Sequence, residues 1–466
     1  MMKQLISKEV CKLVIDEALK TGGDFAEVFV EDTLKNGIEM VSGKVTNINA
    51  NVIHGASVRI LKGSKEIFGY TNDYDLKSLL KLAKDLAAGL DGEALGIEYE
   101  LKDVSNEDIV KPVILPSTVS VEKKVEYLEK VYNVVKGYSE EVVQVMQSIT
   151  DEEQNITVAN SNGVYACDLR TRCRLAATAV SGQGADMQTS SDTVGGNCGY
   201  EIFDNADLVS FGEKIAESAV TMSHAEEMVG GTMTVVVHNG FGGVLLHEAC
   251  VHSLEATSVA KGASVFCNKL GEKIASDVVT AIDDGTRFNQ WGSINVDDEG
   301  HKSQKNVLIE NGVLKSYLVD YRNSRIMNHP TTGSARRQDY KYPPTSRMTN
   351  TFFAPGKDKF EDIIKATKYG LFAKKMGGGS VNPATGEFNF SVQEGYLIED
   401  GKITRPVKGA ALVGSGKQIL MNIDMISDNL EFGHGMCGSA SGSVPTDVGQ
   451  PTIRVQNITV GGKGVK

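Results

Sequence analysis

Directly after Ser7, apolar residues recur at helical spacing, at Val10, Leu13, Val14 and Ala18, until Gly22 and Gly23 interrupt them. A serine before such a run and glycines behind it are start and stop signals, so a first helix is predicted there. Alternating stretches at 26–31, 37–41 and 56–61, divided by the turn pairs Asn36-Gly37 and Lys62-Gly63, predict the strands of a meander. Leu76, Leu79, Leu80 and Ala83 mark another helix. Much the same order returns further along: a helix with Val121, Val125, Leu128, Tyr132 and Val135 on one face, strands at 155–159, 164–167 and 172–180, and a helix through Leu208, Phe211, Ile215 and Ala219. Asn162-Gly163 is a strong hairpin signal inside this second set. After Gly230-Gly231 the pattern changes to an apolar strand, a glycine turn and a helix, then many short strands punctuated by Asn311-Gly312, Asp400-Gly401 and Gly377-Gly378-Gly379.

These patterns predict an α+β protein. Its N-terminal domain, 1–225, is expected to hold two helix-plus-β-meander lobes, about 1–95 and 117–223. The second domain, 226–466, is expected to be β-rich with an inserted metal-binding helix near its start. A chain of 466 residues, 41% hydrophobic and 23% charged, has globular proportions and enough length for several cores.

The formal net charge of −12 opposes binding to nucleic acid or an anionic membrane, and no basic stripe offsets it. The N-terminal segment mixes Lys8, Lys12, Asp16 and Glu17 into its apolar run and lacks the core of a secretory signal. No apolar run approaches the ~20 residues that span a bilayer, so a soluble cytoplasmic protein is expected. Seven scattered cysteines without a C-x-x-C pair do not read as a disulfide framework or a structural zinc module.

The candidate chemistry sits at His247-Glu248-Ala249-Cys250-Val251-His252. Zinc takes neutral imidazoles as ligands, and a carboxylate beside the metal can take a proton from the attacking water. The common zinc-protease motif spaces its histidines i, i+4, about 40° apart around the helix, whereas i, i+5 separates them by about 140°. Two histidines at this spacing share one ion only if a π-type turn or a break falls between them. The alternative is a pair of unrelated histidines on a buried helix. The glycine runs at 240–243 and 377–379 match neither phosphate-binding pattern and read as turns and close backbone approaches.

The stretch Leu245-Leu246-His247-Glu248-Ala249-Cys250-Val251-His252-Ser253-Leu254-Glu255 resembles the signature of the TldD/PmbA peptidases. Further matching segments are Asp283-Asp284-Gly285-Thr286-Arg287, Asn295-Val296-Asp297-Asp298-Glu299-Gly300, Arg347-Met348-Thr349-Asn350-Thr351, Gly377-Gly378-Gly379 and Val448-Gly449-Gln450-Pro451-Thr452. The resemblance implies a metallopeptidase with one Zn2+ per chain, held by His247, His252 and a cysteine near the C-terminus that falls on Cys437. Glu248 would act on the water. His434 and Cys250 compete for the third ligand place. Glu255 is a candidate to hold the second histidine, or a solvated or capping glutamate. Arg347, Thr349 and Asn350 are candidates for substrate binding, or for stitching the fold. One position departs from the family: Val251 stands where glycine is usual, and a β-branched residue resists irregular backbone.

The resemblance further implies unfolded or extended polypeptide as substrate, and a homodimer or a heterodimer with a related subunit. Two other readings compete with it: a non-catalytic partner subunit with a weakened metal site, and a protein-interaction regulator of the same fold.

Overall fold

The computed structural model describes residues 3–104, 109–381 and 386–463; the outer limits of the expected domains, 1 and 466, lie outside them. The N-terminal part contains the expected order twice: helix Lys8–Ala18, strands Phe25–Val41, Lys44–Lys62 and Lys65–Thr71, helix Leu76–Ala87; then helix Val121–Tyr138, strands Val142–Asn160, Val164–Ser181 and Gln188–Asn197, helix Leu208–Ser223. Ser7 caps the first helix through a bond from Val10 N–H, and Ser120 caps the third in the same way from Lys123.

The strands of the two lobes form one sheet, because Phe25–Val41 pairs antiparallel with Val142–Asn160 along almost its whole length. The expected turn at Asn36-Gly37 is absent: both residues lie within the 17-residue strand Phe25–Val41, opposite Ala50 and Asn49. The chain turns instead at Ser42 and Gly43, whose φ values of 49° and 77° suit a tight hairpin. Side chains alternate between the faces of a strand. Val28, Val30, Ile38 and Met40 therefore pack under the helices, while Phe29 on the other face joins Ile156, Val158 and Ala166 against Val296 and Tyr340 of the C-terminal half.

Buried charge also joins the halves. Arg59 pairs with Glu27 at 3.0 Å and with Glu299 at 2.6 Å, and Arg337 reaches Glu27 at 2.7 Å.

In the C-terminal half a ring of strands closes on itself: Tyr369–Val381, Gly231–Val237, Ile453–Gly461, Ala411–Ser415 and Glu387–Glu399, which pairs back to the first. Beside it lies a six-stranded sheet whose last two members are Gly442–Gln450 and the edge strand Glu431–Ser439. One large apolar core, with Val237, Leu246, Leu254, Phe353 and Phe390 among its members, joins the two. Among the described residues no helix is long and apolar enough to cross a membrane.

Candidate metal centre

The strand Gly231–Val237 leaves the barrel and enters a tight turn, Gly240–Gly243, before the helix Val244–Ala249. A Cβ on Gly243 would lie 2.6 Å from the backbone of Gly449, so only glycine lets the turn approach the sheet this closely. The α-helix ends at Ala249. Cys250, with φ −131° and ψ −59°, breaks it, and a 3-10 turn carries Val251–Leu254.

The break lets two histidines that a regular helix would hold about 140° apart converge. Their ring centroids are 4.9 Å apart. The irregular backbone falls on Cys250 and not on Val251, which has no left-handed φ and is fully buried in the core. The β-branched residue is therefore compatible with this geometry.

The edge strand Glu431–Ser439 brings Cys437 to the same point. His247 Nε2 lies 3.2 Å from Cys437 Sγ, across 190 residues of chain, and His252 Nε2 lies 3.3 Å from it. These three donor atoms lie within 4.8 Å of one another and could hold a metal ion. Around a tetrahedral zinc, nitrogen and sulfur ligands stand about 3.6 Å apart, close to these separations. His247 Nδ1 is buried without a hydrogen-bond partner, so no second polar group orients that ring from behind. Two imidazoles and a thiol suit a borderline-soft cation such as zinc.

His434 and Cys250 do not join the group. His434 sits two strand positions from Met436 and bonds Asp447 Oδ1 at 2.6 Å. Burial pushes the Cys250 thiol up to about 12, which keeps it protonated.

Burial, His252 and Arg347 hold His247 well below the usual imidazole range, so it presents a neutral nitrogen. For His252 burial acts in the same direction, but Glu255 and Cys437 outweigh it and raise the imidazole well above its usual value. Its Nδ1 lies 3.3 Å from Glu255 Oε2, which turns Nε2 toward Cys437. Glu248 Oε2 is 3.8 Å from His252 Nε2, on the side where the donors meet. Burial raises the Glu248 carboxyl, His252 opposes this, and Glu255 adds to it.

The remaining candidates divide. Glu255 and Arg347 adjoin the centre: Arg347 Nε stands 3.8 Å from Glu255 Oε1, and its Nη2 donates to the carbonyl of Cys437. Thr349 and Asn350 are turned away. Thr349 gives its N–H and hydroxyl to Asp283, at 2.8 Å each, and Asn350 Nδ2 bonds Asp284 O and Ser293 Oγ. Sequence reasoning missed the contact of Ser441 with Arg347, because a lone serine in a turn carries no signal.

Three models of one family match the chain: PmbA/TldA metallopeptidase domain 1 over residues 26–89, the central domain over 114–223 and the C-terminal domain over 230–462. The metalloprotease TldD homolog of Haemophilus influenzae is 35% identical over 94% of this chain and 93% of its own. That of Buchnera aphidicola from Acyrthosiphon pisum is 33% identical over 97% and 95%. Among solved structures, TldE from Thermococcus kodakarensis shares the fold, with a TM-score of 0.76 at 18% identity over 97% of this chain and 99% of that one. The chain belongs to the PmbA/TldD family of metallopeptidases, hydrolases of peptide bonds.

Proposed function

We propose that this protein is a cytoplasmic, zinc-dependent peptidase of unfolded or extended polypeptides. His247 Nε2, His252 Nε2 and Cys437 Sγ would hold one ion per chain, within a catalytic domain spanning 226–466. The observation that carries this reading is the convergence of two neighbouring histidines with a cysteine 190 residues beyond the first, at 3.2 and 3.3 Å, beside a half-buried carboxylate.

Bound zinc would supply a Lewis acid for the scissile carbonyl and acidify the attacking water. Glu248 takes the water proton and delivers it to the leaving amine, a task suited to a carboxylate whose proton affinity burial has raised. Glu255 fixes the His252 ring. Arg347 holds Glu255 and the Cys437 backbone together. Because TldE has the same fold, a related chain is a fitting dimer partner, as is a second copy of this one.

The test is metal content of the wild type and of Cys437→Ala and His252→Ala, with cleavage of an unstructured peptide with and without chelator. About one zinc per wild-type chain, lost in both variants together with chelator-sensitive cleavage, is the expected result. A folded wild type that cannot be loaded and cleaves nothing would sink the reading.

A further inference from the structure

The strand that carries Cys437 has a second face. Side chains alternate along it, so Cys437 meets the histidines while its neighbour Met436, half exposed, lies on the other side. There a cavity of about 390 Å³ opens between the two halves, lined by Met436, Trp291, Lys35, Arg172 and Arg174 among others. Trp291 is tied to the same strand, its Nε1 donating to Gly435 O at 2.9 Å.

The three cations and three carboxylates that line this cavity do not pair one to one. Glu152 accepts both Lys35, at 2.9 Å, and Arg172, at 3.0 Å, so one carboxylate serves two cations. Asp151 also lines the cavity, but its carboxylate is taken by Lys124 and Tyr200. Glu39 is exposed at the rim. Arg174 makes no ion pair among the described residues; its guanidinium lies 5.1 Å from the centroid of the Trp291 ring. Arg172 is 3% exposed, and its Nη2 has no hydrogen-bond partner. Behind Pro445 in the same wall, burial and then the neighbouring Arg172 pull Arg336 down to about 9. A carboxylate in the cavity would supply the partner that Arg174 lacks, and a guanidinium presents it with a planar pair of donors.

We propose that this cavity is a subsite for a carboxylate group of the peptide substrate, with Arg174 as its anchoring cation. The inference rests on the peptidase reading for the identity of the ligand. The site itself rests on the cavity and on Arg174, which makes no ion pair among the described residues. A carboxylate bound there belongs either to an acidic side chain or to the C-terminus of the peptide.

Trp291 is the chain's single tryptophan, so its fluorescence reports from the cavity wall alone. The experiment uses zinc-loaded Glu248→Gln protein, to prevent turnover, and titrates N-acetyl-glutamate, N-acetyl-glutaminamide and three short peptides. One peptide carries an internal glutamate and an amidated end, one a glutamine and a free end, and one neither carboxylate. At least one carboxylate peptide is expected to bind about tenfold more tightly than the neutral one, and which one it is identifies the source. Arg174→Gln in the same background should erase the difference while zinc content and melting temperature stay unchanged, and Arg174→Lys should retain part of it. Equal binding of all three peptides, or discrimination that survives in Arg174→Gln, overturns the site whether or not peptides are cleaved. A protein with Glu248 intact that binds carboxylates through Arg174 yet cleaves no peptide overturns the peptidase reading and leaves the site standing.

Discussion

The buried guanidinium of Arg347 donates through Nη2 to the carbonyl oxygen of Cys437. Its Nη1 reaches Ser441 Oγ at 3.0 Å and Gly442 O at 2.8 Å, and its Nε faces Glu255 Oε1 at 3.8 Å. One cation therefore ties the turn of the cysteine-bearing hairpin to the carboxylate that orients His252. Arg347→Lys keeps the charge but not the planar fork, and zinc affinity measured against a competing chelator is expected to fall about 10–100-fold. Arg347→Ala leaves a buried carboxylate without its ion-pair partner and three oxygen acceptors without this donor, with an expected loss of roughly 3–5 kcal/mol in denaturant unfolding.

Glu248 lies near the donors without being one of them. Glu248→Gln is therefore expected to retain zinc, as measured by elemental analysis, while peptide turnover falls by about 10²–10⁴. Loss of zinc in this variant would show that the carboxylate is a ligand and not a proton carrier.

The resemblance leads one to expect glycine at position 251, yet the Val251 side chain is fully buried and Cys250 bears the irregular backbone. Val251→Gly should cost about 2–4 kcal/mol, from the lost apolar burial and the added chain entropy. No gain in zinc affinity is expected. A tighter site in calorimetric titration would show that valine strains the motif.

His301 lies 3.6 Å from Asp297 at the junction of the two halves. Burial alone would lower its pKa, but Asp297 and then Glu299 override this and raise it to about 9. Since the folded value exceeds the unfolded one, of about 6.5, the stabilisation is complete below about pH 6.5 and disappears as pH rises through 9. Melting temperature should fall over that window in the wild type and fall less in His301→Gln. Parallel curves for the two proteins would remove His301 from the account.

The two sets of helix and meander were legible because amphipathic spacing is a local property, and Ser7 and Ser120 mark helix starts as their side chains require. The turn expected at Asn36-Gly37 does not form, because tertiary pairing overrides that local preference. The pair favours a turn in isolation, but ladders to Lys44–Lys62 on one side and Val142–Asn160 on the other hold it extended. Arg170, Arg172 and Arg174 alternate along one strand, a signal of a shared face, but periodicity could not tell which arginines would find partners. Arg170 meets Asp168 and Asp298, whereas Arg174 meets no carboxylate among the described residues.

What the sequence determined by itself is the chemistry and its local constraint. His247, Glu248, His252 and Cys437 are side chains of the types that a zinc site draws on, and two histidines spaced i, i+5 can meet at one point only if the helix breaks between them, because 3.6 residues per turn is a property of any α-helix. The tertiary structure decided which groups meet. His247 and Cys437 stand 3.2 Å apart because the edge strand Glu431–Ser439 returns beside the glycine turn, while Thr349 and Asn350, equally plausible as letters, are committed to Asp283, Asp284 and Ser293. Contacts across 190 residues depend on strand order and burial, which no local pattern encodes.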